Sequence, residues 1–314
     1  DRGLTSLPSE GRLRGLPVSR PRPRRKESRT RRAAALALLT LAALVPTVPA
    51  AHAVGDGFFN IRCGQSHRSH DDPIVYPGVE GAAHLHEFLA NKSTAFDSTF
   101  TSMADAKTTC ALSKDTSGYW IPALLDPNGD PVPVRKVLIY YRAAADRKVH
   151  AFPANLKVIT GGDTSDPPAP SRSQHSLSWA CGDTQPYVES PPDCSGTGYH
   201  VSAHIHFPDC WDGEHRDSAD HRSHMAFGTP ECERGWIAMP RLRLHVEFDV
   251  TNAEGYMLDS DMEGMMPGQS LHADFWNTWK DQKALRFLIG HCLNGGRSCS
   301  QMTDRKLRRM GFRS

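Results

Sequence analysis

Several motifs that mark common enzyme classes are missing from this sequence of 314 residues. It has no G-x-S-x-G element, so a serine nucleophile of the α/β-hydrolase type is not indicated. Neither a P-loop nor a G-x-G-x-x-G fingerprint is present, which removes the usual signals for nucleotide and dinucleotide binding. The chemistry must therefore come from other polar side chains.

The sequence also lacks C-x-x-C pairs and internal repeats. Cysteine pairs at that spacing are typical of thiolate zinc sites, so such a site is not predicted. The apolar run AAALALLTLAALVPTVPAAHA, over residues 33–53, has a core shorter than the roughly 20 residues of a membrane-spanning helix. We therefore expect no membrane span in the mature chain.

This apolar run follows a densely basic segment, and the two together have the pattern of a secretory signal. Ala51-His52-Ala53 fits the A-x-A cleavage pattern. We therefore expect residues 1–53 to be a basic leader with a signal peptide, and the mature chain to begin at Val54. Arg31-Arg32 also permits twin-arginine export, so the export route stays open between the general secretory (Sec) system and the twin-arginine (Tat) system. The sequence predicts a secreted, extracellular protein.

Removing the leader changes the sign of the net charge. Residues 1–53 carry 11 Lys and Arg against 3 Asp and Glu. Residues 54–314 then carry 26 against 32, a formal charge of −6, whereas the whole chain has +2. The basic balance belongs to the leader, so nucleic acid is not an expected partner.

Cysteine usage predicts a domain held by disulfides. An even number of cysteines in an exported protein indicates bridges, here four. We expect Cys63–Cys110 and Cys292–Cys299, while the pairing of the middle four stays open. The eight cysteines are Cys63, Cys110, Cys181, Cys194, Cys210, Cys232, Cys292 and Cys299.

Hydrophobic periodicity favours a mainly β fold. In Arg241–Val250 apolar and polar residues alternate, as in a strand with one buried face. Only the region after Leu271 has helical spacing, with Ser270 as a possible N-cap. We predict one monomeric β-sandwich or jelly-roll-like domain over residues 54–300, with long loops, a short C-terminal helical region and a basic tail over residues 301–314.

Two His-x-His elements are the first candidate for a functional site. On a strand, residues i and i+2 share a face, so His84 with His86, or His204 with His206, could chelate one ion. A third ligand from elsewhere (His221, His224 or a carboxylate) would complete a zinc site, and histidine ligands also suit copper. The alternative is that these histidines form ordinary hydrogen bonds near the surface.

The loop Asp217–His224 is the second candidate. A carboxylate beside an imidazole fixes the tautomer and raises its basicity, which suits general acid–base catalysis. Asp220, His221 and His224 would then be catalytic. The alternative is a loop whose Asp and Ser side chains bond to its own backbone.

His272-x-Asp274 is the third candidate, because tryptophans follow it closely. Aromatic rings beside carboxylates and histidines suit sugar stacking in a carbohydrate cleft, with Trp276 or Trp211 as the platform. The alternative is the start of a helix, with Trp276 and Trp279 in the core.

Residues 57–293 resemble an exported family of unknown function, numbered nineteen ninety-six, that occurs in fungi and actinomycetes. The segments that carry the resemblance are Cys63-Gly64, Asp72-Pro73-Ile74-Val75-x-Pro77-Gly78, His84-x-His86, Phe207-Pro208-x-Cys210-Trp211-Asp212-Gly213, Asp217-Ser218-x-Asp220-His221-x-Ser223-His224 and His272-x-Asp274. Fungal members often accompany WSC modules, which are linked to cell-wall glycans. The resemblance therefore implies polysaccharide or cell wall as partner, and it leaves His204 and His245 outside the pattern.

Three functions are consistent with these patterns. The first is a carbohydrate-active hydrolase or lyase, with an acid–base centre of His84, His86, Asp220, His221, His224, His272 and Asp274. Its substrate contacts would be Asp72, Trp211, Asp212, Asp217 and Trp276. The second is a zinc or copper protein with the ligands His84, His86 and His224. The third is a non-catalytic glycan-binding or cell-wall domain.

Overall fold

The computed structural model describes residues 57–143, 147–162, 176–228 and 231–313, so the expected leader over residues 1–53 lies outside these ranges. The strands in the described residues are, in chain order, β1 (Phe58–Cys63), β2 (Gln65–Ser69), β3 (His86–Ala90), β4 (Gly118–Pro122), β5 (Leu124–Leu125), β6 (Val134–Arg142), β7 (Lys157–Gly161), β8 (Leu177–Cys181), β9 (Val201–His206), β10 (Cys210–Trp211), β11 (Met225–Ala226), β12 (Ile237–Ala238), β13 (Arg241–Phe248), β14 (Met257–Leu258), β15 (His272–Trp276) and β16 (Ser298–Cys299).

Helices are short and lie mostly near the C-terminus. They are α1 (Phe100–Ala104), α2 (Gln282–Leu288) and α3 (Asp304–Arg309), and a π-helical turn, Ile289–Leu293, directly follows α2. Asp281 caps α2 by accepting from two backbone N–H groups of its first turn, which offsets the unpaired donors there. None of the described helices is long and apolar enough to cross a membrane.

The predicted helical region begins later than expected. His272–Trp276 is strand β15, which pairs with β4 on one side and β7 on the other. Its residues are all buried, so pairing and packing on both faces overrode the helical spacing of Phe275 and Trp279. In the basic tail, Asp304–Arg309 forms α3, with Leu307 packed into the core.

Two sheets form the body of the protein, and the prediction of a mainly β fold is confirmed. The larger has the order β16-β1-β6-β13-β9-β8, and the other has the order β2-β3-β4-β15-β7. Side chains from both sheets share one core. Tyr119 of β4 and Tyr141 of β6 join the sheets through a hydrogen bond of 2.7 Å between their hydroxyls.

Four disulfides staple this body, as the cysteine count predicts. The expected bridges Cys63–Cys110 and Cys292–Cys299 are present. The middle four pair with their nearest neighbours in sequence, as Cys181–Cys194 and Cys210–Cys232. Bridges of this density are typical of proteins in oxidising compartments.

The outward faces of the two sheets carry the polar side chains. Along β3 the outward residues include His86 and Phe88. Phe88 belongs to a smaller second core on that side of the sheet, formed by Ile74, Phe88, Met103, Trp120, Ile159 and Trp276. Along β9 the apolar residues point into the main core, while Ser202 and His204 occupy the alternate positions. Each sheet therefore presents a polar cluster on the side away from the shared core.

Replacing Phe275 tests the shared core. Phe275 is fully buried and its ring stacks on Tyr119 at 5.2 Å, with Phe152 at 5.3 Å. Phe275→Ala should lower the free energy of unfolding by about 3–5 kcal/mol, because it removes a buried aromatic ring and leaves a cavity. Urea denaturation of the oxidised protein measures this. Val79→Ala, at a side chain that is 53% exposed, should change it by less than about 0.5 kcal/mol.

Candidate functional site

Strand register places two of the predicted histidines opposite each other on the smaller sheet. β4 lies between β3 and β15. His86 pairs with Pro122 on one side of β4, and Asp274 pairs with Trp120 on the other. In an antiparallel pair, moving back two residues on one strand means moving forward two residues on its neighbour. His272 therefore lies beside Pro122, on the side of β4 away from His86. His86 and His272 therefore lie in one row across three strands.

A three-histidine cluster results, formed by His84, His86 and His272. Ring centroids are 4.2 Å apart for His84 and His86, 4.9 Å for His84 and His272, and 5.8 Å for His86 and His272. One ring nitrogen from each residue lies within 4.8 Å of the other two. His84 precedes β3 and is only partly buried, so the cluster reaches the surface through it.

Backbone carbonyls fix the ring orientation of two of these histidines. Nδ1 of His86 donates to the carbonyl of Asp71 at 3.0 Å, and Nδ1 of His272 donates to that of Ser270 at 2.8 Å. This leaves Nε2 as the ring nitrogen with the lone pair. The Nε2 atoms of His84 and His86 are buried and have no hydrogen-bond partner. The Nε2 lone pair of His86 is therefore both oriented and unused.

Burial keeps all three imidazoles neutral. It lowers the pKa of His84 from 6.5 to about 4, and that of His272 to about 3. The pKa of His86 lies well below 6.5, because burial and the neighbouring His84 and His272 all disfavour a second proton. Neutral imidazole is the form that ligates a metal ion.

A carboxyl pair, Asp72 and Asp274, lies beside the cluster. Oxygens of both lie within 4.8 Å of a ring nitrogen of His86. Asp72 accepts from the backbone N–H groups of Ile74 and Val75, both at 2.9 Å. Asp274 is buried, and neither of its oxygens has a hydrogen-bond partner. Burial raises the pKa of both carboxyls, and the proximity of Asp72 further raises that of Asp274.

The loop Asp217–His224 meets this site through Arg222 and His221. Gly162 has a positive φ of 84°, and a Cβ there would lie 3.3 Å from both Arg222 Nη2 and the His272 Cβ. Arg222 therefore lies next to His272 across a position that only glycine leaves open. Burial still raises the pKa of Asp274, and the positive charge of Arg222 only partly opposes that rise. Sequence reasoning missed Arg222, although it lies inside the loop motif that the resemblance identifies.

The other predicted loop residues hold the loop itself. Asp220 Oδ1 accepts from both the side chain and the backbone N–H of Ser223, and from Ser218 Oγ at 2.6 Å. These donors hold the pKa of Asp220 well below its usual range, although partial burial opposes them. His221 Nδ1 donates to Asp217 at 2.7 Å, and Asp217 also pairs with Lys157. Asp220 is therefore an ionised backbone cap in this structure.

His224 does not join the three-histidine cluster. It is buried, its Nδ1 is bonded to Ser218 Oγ at 2.8 Å, and its Nε2 donates to the carbonyl of Lys157 at 2.7 Å. Both ring nitrogens are thus occupied within the protein. The structure groups His84 and His86 with His272, and not with His224 as in the predicted ligand set.

Three of the predicted substrate-binding residues, Trp211, Asp212 and Trp276, use their side chains in contacts within the protein. Trp276 is buried, its indole N–H donates to Asn155, and the ammonium of Lys157 lies 4.6 Å from its ring centroid. Trp211 donates to the carbonyl of His215, and Asp212 accepts from His215. Trp276 is therefore packed in the second core, and the indole N–H of Trp211 is used in a local contact.

A family model described as a domain of unknown function, DUF1996, matches residues 72–279. The chain belongs to this family. The match begins at Asp72 and spans the three-histidine cluster, the carboxyl pair and the loop, so the whole candidate site belongs to the DUF1996 domain. The resemblance inferred from the segments above is confirmed. No curated protein and no solved structure matches the chain.

Substitution of His224 separates a structural role from a catalytic one. His224→Ala should lower the free energy of unfolding by about 1–3 kcal/mol, because it leaves the buried Lys157 carbonyl without a donor. Thermal or urea unfolding measures the change. His215 is an exposed histidine that lies just before the Asp217–His224 loop. His215→Ala should change the free energy of unfolding by no more than about 0.5 kcal/mol. Unchanged stability of His224→Ala would contradict the structural role.

Proposed function

We propose that this protein is a secreted metalloprotein whose centre is the three-histidine cluster. The observation that carries the proposal is the pair of buried, unpartnered Nε2 atoms of His84 and His86. An unpaired buried polar atom costs about 1–3 kcal/mol, and a bound cation would relieve that cost for both atoms at once. His272 supplies the third nitrogen from β15, which lies on the other side of β4 from β3.

The donor set suits zinc or copper. Three histidines with an open fourth position are a common catalytic zinc set, and imidazole ligands suit copper equally well. The carbonyl acceptors of His86 and His272 supply the outer hydrogen bonds that orient ligating imidazoles. When bound, such an ion would act as a Lewis acid.

Metal titration of the stripped, oxidised protein tests the centre. Free Zn²⁺ or Cu²⁺ at a hundredfold excess over its Kd should raise the free energy of unfolding by about 2.7 kcal/mol. His272→Ala should bind one equivalent less than wild-type protein, as measured by calorimetry and elemental analysis. His224→Ala is the matched control and should bind as much metal as wild type.

Equal metal content in His272→Ala and wild-type protein would contradict the centre. Loss of metal in His224→Ala, with circular dichroism like that of wild type, would instead favour the ligand set predicted from sequence. These two variants therefore decide which third histidine ligates.

We further propose that the site is catalytic and acts on extracellular polysaccharide as a hydrolase or lyase. The observation that favours catalysis is the buried Asp274, whose oxygens have no partner and which lies beside Asp72 and the histidines. A carboxyl so placed can exchange a proton with a substrate without breaking any structural bond. Tyr76 is 44% exposed, and its backbone N–H donates to the Asp72 carbonyl, so its ring is our candidate for stacking on sugar.

Asp274→Asn tests the acid–base role. It should lower product release from cell-wall polysaccharides by about 10²–10⁴-fold, with little loss of stability because neither oxygen holds the fold together. Reducing-end assays detect hydrolysis, and ultraviolet absorbance of unsaturated products detects a lyase. Full turnover by Asp274→Asn would contradict the role. Glycan binding by wild type without any product would favour the non-catalytic alternative.

A further inference from the structure

A second polar cluster lies on the outward face of the six-stranded sheet. His204 of β9 and His245 of β13 are register partners, and their ring centroids lie 4.7 Å apart. Asp183 follows β8, and the Cys181–Cys194 bridge anchors the start of its segment. A ligand atom from each of the three lies within 4.8 Å of the others. We call this set the Asp183 cluster.

The contacts within the Asp183 cluster leave acceptors facing each other. His204 Nε2 donates to the carbonyl of Gly182 at 2.8 Å, so a neutral ring carries its lone pair on Nδ1. That Nδ1 lies 3.7 Å from Asp183 Oδ1, too far for a hydrogen bond. Two acceptors facing across such a gap repel each other unless a cation lies between them.

His245 presents the same situation more strongly. Its side chain is 1% exposed, and neither ring nitrogen has a hydrogen-bond partner. Nδ1 lies 3.9 Å from Asp183 Oδ2, and Nε2 lies 4.0 Å from Glu247 Oε2. In a tetrahedral site with bonds of about 2.0–2.2 Å, ligand atoms lie about 3.4 Å apart. The two gaps to Asp183, 3.7 Å from His204 and 3.9 Å from His245, are close to that spacing.

We infer that Asp183, His204 and His245 form a second metal site, distinct from the three-histidine cluster. The donors are two imidazoles and one carboxylate, a set that takes divalent transition ions such as Zn²⁺ or Fe²⁺. Asp183 is 41% exposed, so the ion would enter past this carboxylate while the buried histidines form the floor.

Neighbouring charges orient these ligands. Arg243 Nη2 donates to both oxygens of Asp183, at 2.8 and 2.9 Å, and its guanidinium lies 4.6 Å from the Tyr140 ring centroid. Glu247 is held by Arg135 and Lys136, and its carboxylate lies 4.0 Å from Nε2 of His245. Such outer contacts fix ligand geometry, but the nearby Arg243 charge makes this site the weaker of the two.

Calorimetric titration of the stripped, full-length protein with Zn²⁺ tests the inference, and Co²⁺ absorption gives a second readout. Wild type should bind two equivalents, and His245→Ala and His272→Ala one each. The double variant should bind none. His206→Ala is the matched control, because His206 lies on the same strand and face as His204 but outside the cluster. It should keep both sites.

Asp183→Asn is a second test of the site in case His245→Ala, at a buried position, does not fold. The side chain of Asp183 is partly exposed, so this change should leave the fold intact. It should weaken the second site at least tenfold and leave the first unchanged. Two equivalents in His245→Ala, or unchanged Zn²⁺ affinity in Asp183→Asn, would overturn the second site. If His272→Ala retains wild-type stoichiometry while His245→Ala loses an equivalent, the three-histidine centre fails and the second site stands.

Discussion

The rest of the structure depends on the aromatic core that closes the space between the two main sheets. Tyr119 and Tyr141 meet there through their hydroxyls, the indole N–H of Trp279 donates to Tyr141, and Tyr119 donates to the buried carboxylate of Asp115. Large rings gain from burial only if their polar atoms find partners. This network satisfies them, so the inner face of each sheet is fully committed to packing.

Because strand residues alternate in direction, committing the inner faces leaves alternate positions on the outer faces. Polar side chains occupy them, and strand pairing brings those of neighbouring strands together. His86 and His272 meet across β4, and His204 meets His245 directly on the other sheet. In both places histidine nitrogens are buried without partners. Such atoms are costly, and the proposed cations would supply the missing partners in both clusters.

The Asp217–His224 loop is held by its own hydrogen bonds and places a charged side chain beside the three-histidine cluster. Asp220 and His224 use their side chains on the loop backbone and on the Lys157 carbonyl. That internal bonding holds Arg222 beside His272, where Gly162 leaves room for it. The positive charge then lies next to a buried carboxyl. Asp220 and His224, which were predicted to be catalytic, thus form hydrogen bonds that support the position of Arg222.

The β character, the four disulfides and the His84-x-His86 pair could be predicted from the sequence, because alternation, cysteine count and i, i+2 spacing are local properties. The family resemblance also marked His272 and Asp274 in advance. That His272, and not His224, lies with His84 and His86 could be seen only in the folded chain. Folding also brought Asp183 to His204 and His245. The reason is register: which residues face each other across a sheet depends on strand order, and the spacing of residues along one strand contains no information about its neighbour.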